Sequence, residues 1–184
     1  MRRPERAEYE SPGQCPGKAG RRIHEALKGR NKGAKKMPQS LSNILLHLVF
    51  STKNRRPLIA PEIEEELWRY VAGVCKAHDC PTHRVGGTDD HVHIACGLAR
   101  TVAVCDLLED IKTSSSKWMK TKGVADFAWQ TGYGAFSVGQ SQLDDVVVYV
   151  SGQKDHHRRL TFQEEYRAFL DKYRVQYDER YVWD

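Results

Sequence analysis

The chain has 184 residues, 40% hydrophobic and 29% charged, which suits one globular domain with a modest appendage. No apolar run approaches the roughly 18 residues of a membrane span, and no apolar stretch follows Arg2 and Arg3 to make a secretory signal, so a cytoplasmic, membrane-free protein is expected. The net charge of +5 is uneven: residues 1–36 hold 11 Lys or Arg against 4 Glu (+7), leaving 18 basic and 20 acidic residues (−2) in 37–184, so bulk charge is no argument for nucleic-acid binding by the folded part.

Residues 1–36 are rich in Arg, Lys, Gly, Pro and Glu and almost free of large apolar side chains. Such a segment cannot bury enough surface to offset its ordering entropy and is expected to be disordered, with at most a short helix over Arg22–Leu27. It reads either as a basic arm that adds non-specific nucleic-acid affinity or, if Met37 is the true start, as untranslated sequence. The globular domain is placed at 37–184.

The apolar run from Asn43 to Phe50 predicts a buried strand, and Lys53–Pro57 a basic turn. Pro61 followed by Glu62, Glu64, Glu65 and Glu66 opens a helix whose inner face is Ile63, Leu67, Tyr70, Val71 and Val74. Cys80–Gly86 and His91–Leu98 predict a hairpin across the turn Gly86-Gly87-Thr88-Asp89-Asp90. A second helix over Thr101–Thr121 turns Val104, Leu107, Leu108 and Ile111 inward, with Trp118 further along. Gly132–Val138 gives a fourth strand. Two more helices follow, Leu143–Lys154 and Thr161–Tyr173, the second opened by a Thr161-x-x-Glu164 capping box. The order β-α-β-β-α-β is an α+β, ferredoxin-like pattern: an antiparallel sheet with helices on one face plus C-terminal helices.

The odd number of cysteines, in a chain without an export signal, favours reduced thiols packed as small hydrophobes. A zinc site from Cys75, His78, Cys80 and His83 has the right residue types but no standard finger spacing. Two other constellations carry chemistry. In His91-Val92-His93 the strand alternation puts both imidazoles on one face, where they can reach one metal ion, although two surface histidines fit as well. Tyr149 and Gln153, four apart on a predicted helix, share a stripe with Asp145; a core tyrosine beside Val146 and Val150 fits as well. Together the pairs make sense, because a phenol is a weak nucleophile with a pKa near 10 and gains from a metal that withdraws charge from a phosphate. Two imidazoles and an amide oxygen argue against a pure magnesium cage. They suit Mn2+ and allow Mg2+ with waters.

His91-Val92-His93 resembles the His-hydrophobic-His (HUH) motif, and Tyr149-Val-Ser-Gly-Gln153 its Tyr-x-x-x-Gln helix. Leu48-Val-Phe-Ser-Thr-Lys53, Arg55, Arg56, Pro57, Ser116-Lys-Trp118 and Trp129–Val138 are similar to stretches of the small single-tyrosine HUH transposases of bacterial insertion sequences, the IS200-like family. The likeness runs from about Met37 to Phe169. It implies a metal-dependent enzyme, with Mg2+ or Mn2+ held by His91, His93 and Gln153, that cleaves and rejoins single-stranded DNA through a 5′-phosphotyrosine at Tyr149. It further implies hairpin substrates and a homodimer with shared active sites, working at the nucleoid.

Lys53, Arg55 and Arg56 in the first turn, and Lys112 and Lys117 on the second helix, are candidate phosphate contacts; a solvated helix face accounts for the last two as well. Tyr133, Phe136 and Trp129 are candidates for stacking on unpaired bases or for core packing. His156 and His157 are expected to be structural or phosphate-near. The competing functional readings are a domesticated HUH nickase acting at chromosomal palindromes, a non-catalytic ferredoxin-like nucleic-acid-binding module, and a phosphodiesterase using water. The last would recruit more carboxylates.

Overall fold

The computed structural model describes residues 41–183. The expected disordered arm, the helix at Arg22–Leu27 and the alternative start at Met37 lie outside those residues. Among the described residues, no helix is long and apolar enough to cross a membrane.

The elements are β1 (Leu45–Ser51), α1 (Pro61–Ala77), β2 (Thr82–Gly87), β3 (His91–Gly97), α2 (Val104–Thr121), β4 (Gly134–Val138), α3 (Leu143–Ser151), a single turn α4 (Gln153–His156) and α5 (Phe162–Lys172). The strands form one antiparallel sheet in the order β2-β3-β1-β4, so the α+β ferredoxin-like expectation holds. Each of the helical connections α1 and α2 skips one strand, so β3 lies between β1 and β2 and β1 lies between β3 and β4, while β2 and β3 pair directly as the predicted hairpin.

Strand alternation divides the central strands into two sets of side chains. Leu46, Leu48 and Phe50 of β1 and Val92, Ile94 and Cys96 of β3 pack against Leu67, Trp68, Val71 and Cys75 of α1 and Leu107, Leu108, Ile111 and Met119 of α2. A fully buried side chain of this size contributes about 1.5–3 kcal/mol, so this layer is the main source of stability. The inner stripe of α1 is rotated slightly from expectation: Glu64 and Trp68 are buried, while Ile63 and Val74 only flank the core. Glu64 is tolerated there because Lys154 pairs with it. The predicted inner face of α2 is present, with Val104 and Trp118 at its margin.

The opposite set, His47 and Val49 of β1 and His91 and His93 of β3, faces the C-terminal helices. Val49 packs with Phe136 of β4 and with Phe162, Tyr166 and Leu170 of α5. On that side α3 lies directly on the hairpin, where a Cβ at Gly86 would stand 2.5 Å from the Val150 carbonyl oxygen. Glycine at 86 therefore sets how closely the tyrosine helix approaches the sheet. The predicted helix over Leu143–Lys154 stops at Ser151: Gly152 caps it, and Gln153 begins the separate turn α4. The capping box of α5 is present, Thr161 and Glu164 satisfying each other's backbone N–H groups.

Cys75, Cys80 and Cys96 are buried free thiols, and burial pushes the Cys75 thiol up to about 11. His78 instead pairs with Asp110 at 3.0 Å, and His83 is exposed, so the zinc set is not assembled.

Candidate active site

Two histidines next to a turn would ordinarily stay hydrated. Here His91 and His93 are 1% and 0% exposed, because α4, α5 and the loop between them cover that face of the sheet. Each imidazole has its other nitrogen fixed. His91 Nδ1 donates to Asp90 Oδ1 at 2.6 Å, and Thr88 Oγ1 donates to the same oxygen at 3.0 Å. Burial raises Asp90, but the bonds from His91 and Thr88 outweigh it and leave the carboxyl below its ordinary range. His93 Nδ1 lies 2.9 Å from Nε2 of His47, whose ring stacks on it at a 5.1 Å centroid distance. The Nε2 atoms of His91 and His93 thus point the same way, away from the sheet.

The C-terminal segments bring five more polar side chains to that point. Gln153 Oε1 lies 3.5 Å from His91 Nε2, and its Nε2 donates to Glu165 Oε1 at 3.2 Å. Tyr149 Oη donates to that same Glu165 oxygen. Glu165 Oε2 lies 3.4 Å from His93 Nε2 and 3.3 Å from His157 Nε2. His156 Nε2 is 3.4 Å from Glu165 Oε1. The Tyr149 ring stands edge-on to His93, with centroids 5.9 Å apart, and to His156 at 5.3 Å.

The sequence candidates Tyr149, Gln153, His91 and His93 are therefore gathered within one chain. The Tyr149–Gln153 pair is joined through a shared carboxylate rather than along one continuous helix. Asp145, expected on the same stripe, is exposed.

The cluster is electrostatically unusual. Burial holds the His93 imidazole well below its ordinary value, with His91 and His47 adding to the effect. Burial, with Lys172 beside it, lowers His47 to about 4; burial, with His91 beside it, does the same for His157. Glu165 is pushed up to about 8 by burial and by the nearby Asp90 charge. His93 Nε2, His157 Nε2 and Glu165 Oε2 are all buried without a hydrogen-bond partner. One ligand atom from each of His91, His93, His157 and Glu165 lies within 4.8 Å of the others, an arrangement able to hold a divalent cation.

His47 and Glu165 are absent from the sequence candidates. The one available signal for His47 was a polar residue inside an otherwise apolar strand. Glu165 had none, since an acid in the first turn of a helix is ordinary.

The basic candidates divide. Lys53, Arg55 and Lys117 are exposed, and Asn54 and Arg55 turn the chain with φ of 58° and 53°. Arg56 pairs with Asp126. Lys112 donates to the carbonyls of Gln130, Thr131 and Gly132 at 3.1, 3.1 and 2.6 Å, and burial lowers it to about 8, so its charge holds the loop before β4. Phe136 and Trp129 are core residues, 3% and 8% exposed; Tyr133 is 40% exposed.

Residues 40–153 match the family model described as IS200-like transposase. Two solved structures share the fold. A candidate transposase from Deinococcus radiodurans R1 superposes with a TM-score of 0.51 at 17% identity, covering 67% of this chain and 98% of its own. A REP-associated tyrosine transposase bound to a REP hairpin superposes with a TM-score of 0.51 at 12% identity, covering 68% and 74%. No curated protein matches. At such identities the two structures bear on the fold alone, whereas the family match spans well over half of the sequence. The chain belongs to the IS200-like transposases.

Proposed function

We propose that the chain cleaves and rejoins single-stranded DNA through a 5′-phosphotyrosine at Tyr149, beside a divalent ion, Mn2+ or Mg2+, held by His91, His93 and Gln153. One observation carries this reading: a tyrosine from α3 and two histidines from β3 meet at a buried point where the His93 Nε2 atom has no internal partner. The donor set fits a metal, because the imidazoles of His91, His93 and His157 are each held by the far nitrogen and turn the near one inward. When bound, the ion supplies positive charge to the phosphate oxygens.

The rest belongs to the protein. Tyr149 supplies the attacking oxygen, and the Glu165 carboxylate that accepts its hydroxyl holds it toward the histidines and is the nearest group able to take its proton. As the tyrosine oxygen bonds to phosphorus, the bond from phosphorus to the 3′ oxygen breaks and a 3′-hydroxyl is released. The phosphodiester is conserved as the tyrosyl ester, so a second 3′-hydroxyl can reverse the step without ATP.

Hairpin-forming single strands are the proposed substrate class, supported by the REP hairpin on the structural relative. Lys53, Arg55, Arg56 and Lys117 are proposed to meet phosphates, and Lys112 to do so once its loop opens. A homodimer is proposed as well, with Val148 of α3, a valine 71% exposed, as a candidate apolar contact. The approach of Tyr149 to His93 within one chain supports a site that forms in cis.

The test is a labelled single-stranded hairpin incubated with the protein and Mn2+ or Mg2+. A covalent protein–DNA adduct is expected, and Tyr149→Phe should abolish it while DNA binding persists. Cleavage that survives in Tyr149→Phe removes the tyrosine from the mechanism, and cleavage unaffected by His91→Ala removes the metal assignment.

A further inference from the structure

The matched family segment ends at Gln153, and three polar residues of the cluster, His156, His157 and Glu165, come after it. We propose that His157 and Glu165 are metal ligands, so that the ion sits in a set of three imidazoles and one carboxylate, with Gln153 as a fifth donor. This rests on the metal reading of His91 and His93 and departs from the structural or phosphate-near role expected for His157.

Three observations carry it. The first is the proton inventory. His157 Nδ1 donates to the Leu160 carbonyl at 2.8 Å and His91 Nδ1 to Asp90 at 2.6 Å, so both present an Nε2 lone pair. Glu165 adds an oxygen, and His93 joins them when its Nδ1 donates to His47. Acceptors converging in a buried space favour a cation, which can satisfy several of them at once.

The second is spacing. Donors about 2.1 Å from a four- or five-coordinate ion lie roughly 3.0–3.6 Å from their neighbours. Glu165 Oε2 is 3.4 Å from His93 Nε2 and 3.3 Å from His157 Nε2.

The third is satisfaction. Of the four buried atoms of the cluster without hydrogen-bond partners, one ion satisfies three, His93 Nε2, His157 Nε2 and Glu165 Oε2; the fourth, His156 Nε2, lies outside the ligand set. Three imidazoles and a carboxylate suit a first-row transition ion better than Mg2+, which keeps several waters and prefers oxygen. Because Glu165 Oε1 also takes the Tyr149 hydroxyl, one carboxylate ties the nucleophile to the ion.

The experiment is Mn2+ titration of the full chain by calorimetry, for wild type, His157→Asn, Glu165→Gln and His91→Ala. Glu165→Gln keeps the shape and removes the charge, and thermal melts confirm folding. The first two variants should each bind Mn2+ about 10- to 100-fold more weakly, and His91→Ala should not bind. If both bind as tightly as wild type while His91→Ala does not, the inference is overturned and the metal site at the His pair stands. If His91→Ala also binds normally, the underlying metal reading fails. X-ray absorption on the Mn2+-loaded wild type tests the count without any variant: three imidazoles support the inference, two overturn it.

Discussion

The two faces of the central strands are built from alternate residues of the same segments, yet they have opposite chemistry. Toward α1 and α2, β1 and β3 present Leu48, Phe50, Val92 and Ile94, each 0% exposed and apolar. Toward the C-terminal helices, the same strands present His47, Val49, His91 and His93, also buried. Burial costs nothing in unmet hydrogen bonds on the first face. On the second it leaves nitrogen and oxygen atoms without partners. One face holds the fold together, and it can therefore carry a second face that is held in a costly state suited to binding a cation.

The largest break in this comparison should come from the dry face. Leu48→Ala removes a fully buried side chain beside the helices and should cost about 2–5 kcal/mol in denaturant melts. Since Leu48 projects away from the histidines, Mn2+ affinity of the folded fraction should hardly change. A comparable loss of metal affinity would mean that the two faces are not energetically separate.

The buried titratable groups should sharpen the comparison through pH. His47 and His157, with folded values near 4, lie below the ordinary 6.5, and His93 is shifted the same way. The unfolded chain then binds more protons, so stability falls as pH drops from about 6.5 toward 4, by on the order of 3 kcal/mol for His47 alone. Glu165, raised from 4.5 to about 8, acts oppositely: the folded chain binds the extra proton, and stability declines as pH climbs through that window. Three histidines outweigh one carboxyl on the acid side, and Glu165 dominates between about 6.5 and 8, because Lys112, lowered to about 8, adds stability only as pH passes through that value. Metal-free protein in chelator should therefore melt highest near pH 6.5, and Glu165→Gln should flatten the alkaline limb. A melting temperature that still rises from pH 6.5 to 8 would contradict this assignment.

How much of this was legible in the sequence follows from the same division. Alternation and turn residues gave the order of elements along the chain and the shared face of His91 and His93, because both depend on local spacing. The helix carrying Tyr149 and Gln153 was too long by three residues, since Gly152 reads as tolerable inside a helical pattern but serves as a cap. Lys112 looked like a phosphate contact, and only the fold reveals the three carbonyls that take its ammonium. Glu165 was invisible for a physical reason: nothing along α5 says that its first turn will close over β3, which is a matter of packing between distant segments.

That closure suggests the smallest and most local test. The first turn of α5 carries Phe162, whose ring lies 4.7 Å from His91, and Glu165, which meets Tyr149. The turn is fixed by Thr161, whose hydroxyl accepts from the Glu164 N–H at 3.3 Å, while Glu164 Oε2 accepts from the Thr161 N–H at 2.9 Å. Thr161→Ala should cost about 1 kcal/mol, too little to affect the dry face. Amide exchange should nevertheless quicken at 162–166 while the amides of β1 and α2 stay protected, since fraying one turn opens only what that turn covers. Mn2+ should restore the protection if the ion draws Glu165 toward the histidines. If exchange quickens equally across α2, the capped turn and the sheet core unfold as one unit, and the two faces share a single stability.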